Sequence, residues 1–89
     1  MRRLVQQAQL RRDYKLQKRR GAEMEKLEEV VRLLLEDGSL PAKYRPHKLS
    51  GEWKGFWECH IESDWLSIYG VTSSEVLLVR TGTHADLFE

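Results

Sequence analysis

Hydrophobic positions change their rhythm once along the chain. In "AEMEKLEEVVRLLLEDG", Met24, Leu27, Val31 and Leu34 recur at helical spacing, acids crowd the first turns and Gly38 closes the segment, which predicts a helix. The preceding "QAQLRRDYKLQKRR" consists of good helix formers with Leu10 and Tyr14 one turn apart, and Gly21 interrupts it, predicting a separate first helix. From Ser39 to Gly51 the helical period disappears and Pro41, Pro46 and Gly51 mark a loop. Beyond it, "WKGFWECHI", "WLSIYGV" and "EVLLVRT" are aromatic or β-branched segments separated by "ESD" and "TSS", the pattern of three antiparallel strands in tight hairpins. "RRLV" near the N-terminus supplies a candidate fourth, edge strand. The expected architecture is α+β: two N-terminal helices packed on one face of a small antiparallel sheet of three to four strands, the other face left for function.

Composition narrows this picture. The 89 residues, 40% hydrophobic and 33% charged, suit one domain spanning 1–89, and the aromatic content is too high for a disordered chain. A domain of this size buries only about 60% of the surface its unfolded chain exposes, so the core is thin. Cys59 is the only cysteine, which excludes an internal disulfide and leaves a reducing cytoplasm as the expected location. No apolar run is long enough to cross a bilayer. The basic, acid-poor start could mimic a transit peptide, but cleaving it would remove a segment the small core needs.

Charge is segregated although the net charge is only +1. Residues 1 to 20 carry eight Lys or Arg against one acid, residues 21 to 40 two against six, residues 41 to 60 four against two, and the last 29 one base, Arg80, against five acids. The basic opening suits RNA, a membrane surface or an acidic partner, while a solvated helix face is the plainer reading.

Side-chain alternation in "WKGFWECH" puts Lys54, Phe56, Glu58 and His60 on one strand face and Trp53, Trp57 and Cys59 on the other. A face with lysine, glutamate and histidine is a poor core face. Asp64 stands across a short turn and is placed to hydrogen-bond the His60 imidazole; Arg80 ends the third strand and is followed by "TGTHADLFE" with His84 and Phe88. With His47 in the loop, these groups match metal-independent RNA cleavage. That reaction needs a base for the 2′-hydroxyl, an acid for the departing 5′-oxygen and a fixed cation at the phosphorane. Phe88 suits stacking on a base, with Trp65 a second candidate, and Lys43, Arg45, Lys48 and Lys54 suit the RNA backbone. The plainer alternatives are a surface His47, an Arg80 paired with Glu75 or Glu58, tryptophans used in packing, a Phe88 covering a core edge and a Cys59 filling core space. Zinc is a weak alternative, because no second His or Cys stands beside His60 and Asp64 to form a paired ligand motif. No phosphate-binding glycine motif or nucleophile elbow is present.

"LSGEWKGFWECHIESDWLSIYGV" followed by "LLVRTGTHADLF" resembles the YafQ branch of the RelE superfamily, toxins of bacterial toxin–antitoxin pairs. The resemblance implies a RelE-like microbial ribonuclease fold and a ribosome-dependent mRNA endonuclease acting in the A site. It also implies no cofactor, a bacterial cytoplasmic location, and contacts with messenger RNA, ribosomal RNA and an antitoxin. The family's histidines fall on His47, His60 and His84, its acid on Asp64, its phosphate-binding arginine on Arg80 and its terminal aromatic on Phe88. Trp57 stands where relatives often carry arginine, Pro46 where an acid often precedes the loop histidine, and Ser63 where a turn proline is frequent. The alternative expectation is a non-catalytic RNA- or protein-binding module whose site has degenerated through changes such as Trp57.

Overall fold

The computed structural model describes residues 1–89, in the order β1 (Arg3–Gln6), α1 (Ala8–Arg19), α2 (Met24–Asp37), β2 (His47–Lys48), β3 (Trp57–Glu62), β4 (Trp65–Val71), β5 (Glu75–Gly82) and α3 (His84–Phe88). The five strands form one sheet in the order β1-β5-β4-β3-β2. The β3-β4-β5 meander is antiparallel, as its short turns require. β1 pairs in parallel with β5, so the sheet is mixed rather than wholly antiparallel. The meander leaves only the outer edge of β5 free on that side, and the two intervening helices give the chain the length a parallel return needs.

Each helix buries one stripe. Leu10 on α1 and Met24, Leu27, Val30 and Leu34 on α2 meet Cys59, Ile61, Trp65, Tyr69, Val76 and Leu78 of the sheet in the main core. Gly38 ends α2 in the left-handed region, with φ 72°, and donates its N–H to the Leu34 carbonyl. That backbone conformation favours glycine; the Arg2 guanidinium packs close over the position. A second, smaller cluster of Leu66, Ile68, Val79 and Leu87, with Leu49, Trp53 and Phe56 beside it, lies apart from the main core.

Three local expectations change. β3 begins at Trp57, because Gly51 and Gly55 both take positive φ and wind residues 51–53 into a turn of 3-10 helix. Trp53 therefore joins the smaller cluster instead of Cys59 and Trp57. The segment read as loop contains β2, whose two residues pair with β3, His47 opposite Glu58 and Lys48 opposite Trp57.

Candidate functional site

Strand pairing sets the site out in two rows across the sheet. His47, Glu58, Ile68 and Arg80 are successive Cα partners on β2, β3, β4 and β5. His60 and Gly82 are both partners of Leu66 in the next row, and His84 follows Gly82 by two residues. Directly opposed residues share a face. His47, Glu58, His60 and Arg80 therefore surround the small apolar cluster on the side away from the main core, the face the alternation predicted for Glu58 and His60.

Glu58 is the group the sequence placed on this face without giving it a role there. It is 7% exposed, and its Oε1 lies 3.1 Å from His47 Nε2 and 3.7 Å from His60 Nε2. The two rings have centroids 6.3 Å apart. His47 Nδ1 also lies 2.9 Å from the Arg45 carbonyl. One buried carboxylate thus lies against two imidazoles.

Asp64 does not reach His60. Its Oδ1 accepts the backbone N–H of His84 at 2.9 Å, one of the free donors at the start of α3. The β3–β4 turn that carries Asp64 lies beside α3, and that open donor takes the carboxylate. The same helix is closed by a capping box: Asp86 N–H donates to Thr83 Oγ1 at 3.1 Å and Thr83 N–H to Asp86 Oδ2 at 2.9 Å. Arg20, just past α1, donates to Asp86 at 2.6 Å, and this contact with the Thr83 N–H holds the carboxyl down at about 2. Because the folded value is depressed, this anchoring is full above the ordinary 3.8 and is lost as pH falls toward 2. The anchored helix presents His84 and Phe88, both exposed, with ring centroids 5.2 Å apart.

Gly82 makes this docking close. A Cβ there would fall 2.8 Å from Asp86 Oδ2 and 2.9 Å from Asp86 Cβ. Gly82→Ala is expected to displace α3 while sparing the main core: melting should drop by only a few degrees, about 1 kcal/mol, with cleavage reduced at least about tenfold. Thermal melting and single-turnover cleavage of the same preparation check it.

Arg80 pairs with neither Glu75 nor Glu58. Its Nε donates to Asp13 Oδ2 at 2.7 Å and its Nη2 to Asp13 Oδ1 at 3.2 Å. Asp13 is 6% exposed and also accepts the Thr81 N–H at 3.2 Å and Gln9 Nε2 at 3.0 Å. β1 ends at Gln6, so α1 continues along the free edge of β5, and Asp13 takes the ladder donor that a longer β1 would have taken. The signal was present in the sequence: Asp13 is the lone acid among the eight bases of the first twenty residues.

The RNA-contact candidates divide. Trp65 is 3% exposed in the main core and donates its indole N–H to Thr81 Oγ1, so it offers RNA no surface. Lys48 shares the face of Trp57 and lies over that ring, on the helix side of the sheet. Lys43 packs on Tyr44 beside Glu25 and Glu29 of α2, away from the histidines. Arg45, Lys54 and Phe88 remain exposed. Cys59 is fully buried and its thiol is pushed up to about 12, by burial first and the Glu58 charge second, so it is a packing residue and not a nucleophile.

The family model described as the bacterial toxin of type II toxin–antitoxin systems, YafQ, matches residues 2–89. The chain belongs to the YafQ toxin family. The mRNA interferase toxin YafQ of Escherichia coli K12 is 43% identical over 81 residues, covering 90% of this chain and 88% of that protein. The crystal structure of the E. coli DinJ–YafQ complex matches with a TM-score of 0.92 at 39% identity, covering all of both chains. A metal-bound toxin from Helicobacter pylori matches with a TM-score of 0.89 at 32% identity, covering 99% of this chain and all of that one. In this YafQ-family chain no group of three His, Cys, Asp or Glu side chains is arranged to hold a metal ion. No helix is long and apolar enough to cross a membrane. Trp57, one of the three positions where the sequence was expected to depart from the family's pattern, stacks on Tyr69 on the helix side of the sheet, opposite the face of Glu58 and His60.

Proposed function

We propose that this protein is the toxin of a type II pair and an mRNA interferase that cleaves messenger RNA on the ribosome, held in check by an antitoxin. The observation that carries the reading is the convergence of His47, Glu58, His60 and Arg80 on one sheet face, with α3 fixed beside it through Asp64 and Asp86. The similarity to YafQ, including YafQ bound to DinJ, supports the substrate class and the antitoxin.

In the proposed reaction one of His60 and His84 takes the proton of the 2′-hydroxyl as that oxygen attacks phosphorus. The other protonates the 5′-oxygen as its bond to phosphorus breaks, leaving a 2′,3′-cyclic phosphate and a free 5′-hydroxyl. Arg80 neutralises charge that builds on the phosphorane oxygens. Glu58 orients His60 and His47, the part first expected of Asp64, while Asp64 positions His84 through its backbone. His47 binds phosphate, and Phe88 stacks on a base of the codon.

Purified protein incubated with one message, free or on translating ribosomes, tests the reading. Cuts at codon boundaries should depend on the ribosomes, with free message cut at least about a hundredfold more slowly. Equal cutting of both would remove the ribosome from the reaction, and no cutting of either would favour the binding-module alternative.

A further inference from the structure

We propose that Arg20 is a positioning residue of the cleavage site: by gripping Asp86 it sets the rotation of α3 about its own axis and so aims His84 and Phe88. This rests on the histidine-dependent cleavage proposed above. The buried stripe of α1 carries Asp13 and Gln17, and Arg20 follows just past the end of the helix. A helix packed on a sheet ordinarily fills such a stripe with apolar residues, and burying polar ones seldom adds stability. Here the stripe ends on the segments that bear the reacting groups, Asp13 on Arg80 of β5 and Arg20 on Asp86 of α3.

Arg20 is itself firmly held. Its backbone N–H donates to the Leu16 carbonyl at the end of α1, and its Nη1 donates to Gln17 Oε1 at 2.7 Å. The guanidinium takes Asp86 with both terminal nitrogens, Nη1 to Oδ2 at 2.6 Å and Nη2 to Oδ1 at 3.2 Å, a fork that fixes a carboxylate in direction as well as distance. α3 needs such a contact. In this helix of five residues, Leu87 sits in the small cluster through apolar contact, which is non-directional, and Asp64 takes the His84 N–H, which lies close to the helix axis. Neither sets the rotation. At about 100° per residue, Asp86 points roughly 200° from His84, while Phe88 returns to within about 40° of it. Holding Asp86 against Arg20 therefore turns His84 and Phe88 outward together, where both are exposed with ring centroids 5.2 Å apart.

The test compares the full chain with its Arg20→Gln, Arg20→Lys and Asp86→Asn variants and with the double variant Arg20→Gln, Asp86→Asn. Asparagine keeps an acceptor for the Thr83 N–H, so the cap of α3 is retained. Single-turnover cleavage on ribosomes is followed against toxin concentration, and NMR relaxation of the His84 and Phe88 backbone amides is measured on the free protein. Arg20→Gln should lower the maximal rate at least about tenfold with the half-saturating concentration unchanged. The two amides should fall from order parameters of about 0.85 to below about 0.6. Asp86→Asn should match it, the double variant should be no slower than either single one, and Arg20→Lys should recover most of the rate. Melting should fall by only about a few degrees, because the pair is partly exposed. An unchanged maximal rate in folded Arg20→Gln overturns the proposal, and so do additive losses in the double variant. So does a raised half-saturating concentration at an unchanged maximal rate, which would make Arg20 an RNA contact. Failure of the underlying function looks different: wild type itself would not cut on ribosomes, and the relaxation of His84 and Phe88 would still show whether Arg20 holds α3.

Discussion

Arg80→Ala is expected to lower turnover on ribosomes by about 10²- to 10³-fold, the loss that follows removal of one fixed charge-stabilising group from a transition state. The variant should also lose stability, because Arg80 neutralises a carboxylate that is 6% exposed. Asp13 keeps the Thr81 N–H and Gln9 as donors, which limits the cost to about 2 kcal/mol. Melting should fall by roughly 10 °C for a domain of this size. Single-turnover cleavage at a temperature where both proteins are folded separates the two effects. A folded variant that cuts at the wild-type rate would remove Arg80 from the mechanism.

Asp13→Ala should reverse the balance and produce the largest loss of stability, about 3 kcal/mol or roughly 15 °C in melting. It leaves the buried Thr81 N–H without an acceptor and the Arg80 guanidinium, with its side chain 23% exposed, without its anchor. Turnover should fall only about tenfold, since Arg80 is present but no longer held. Asp13→Asn retains an acceptor for Thr81 and should recover about half of the lost stability while the rate stays low. Denaturant unfolding and cleavage of both variants check this. A stability unchanged in Asp13→Ala would contradict the place given to this carboxylate at the sheet edge.

Much of the fold was legible because it is periodic. α2 showed itself through Met24, Leu27 and Leu34, all buried, and the meander through strands separated by "ESD" and "TSS". The direction of β1 was hidden, since a four-residue strand carries no mark of parallel or antiparallel pairing. The helix at the C-terminus has five residues, too few for a period, though Thr83 and Asp86 stand at capping-box spacing.

The site was legible as residue types more than as partners. Alternation correctly placed Glu58 and His60 together, yet only the register of β2 brings His47 onto the same carboxylate. The same register turns Lys48 to the opposite face, which no local pattern announces. Asp64 was assigned to His60 from nearness in sequence, but the free N–H groups at the start of α3 compete for it. Asp13 lies 67 residues from Arg80, and long-range ion pairs leave no periodic trace.

Wild type and a His60→Ala, His84→Ala double variant, each induced in bacteria with growth followed and new 5′ ends mapped on messenger RNA, test the central claim most directly. Wild type should stop growth and generate in-frame cuts within translated regions, while the folded double variant does neither. A folded double variant that arrests growth with the same cuts would contradict histidine-dependent cleavage on this face.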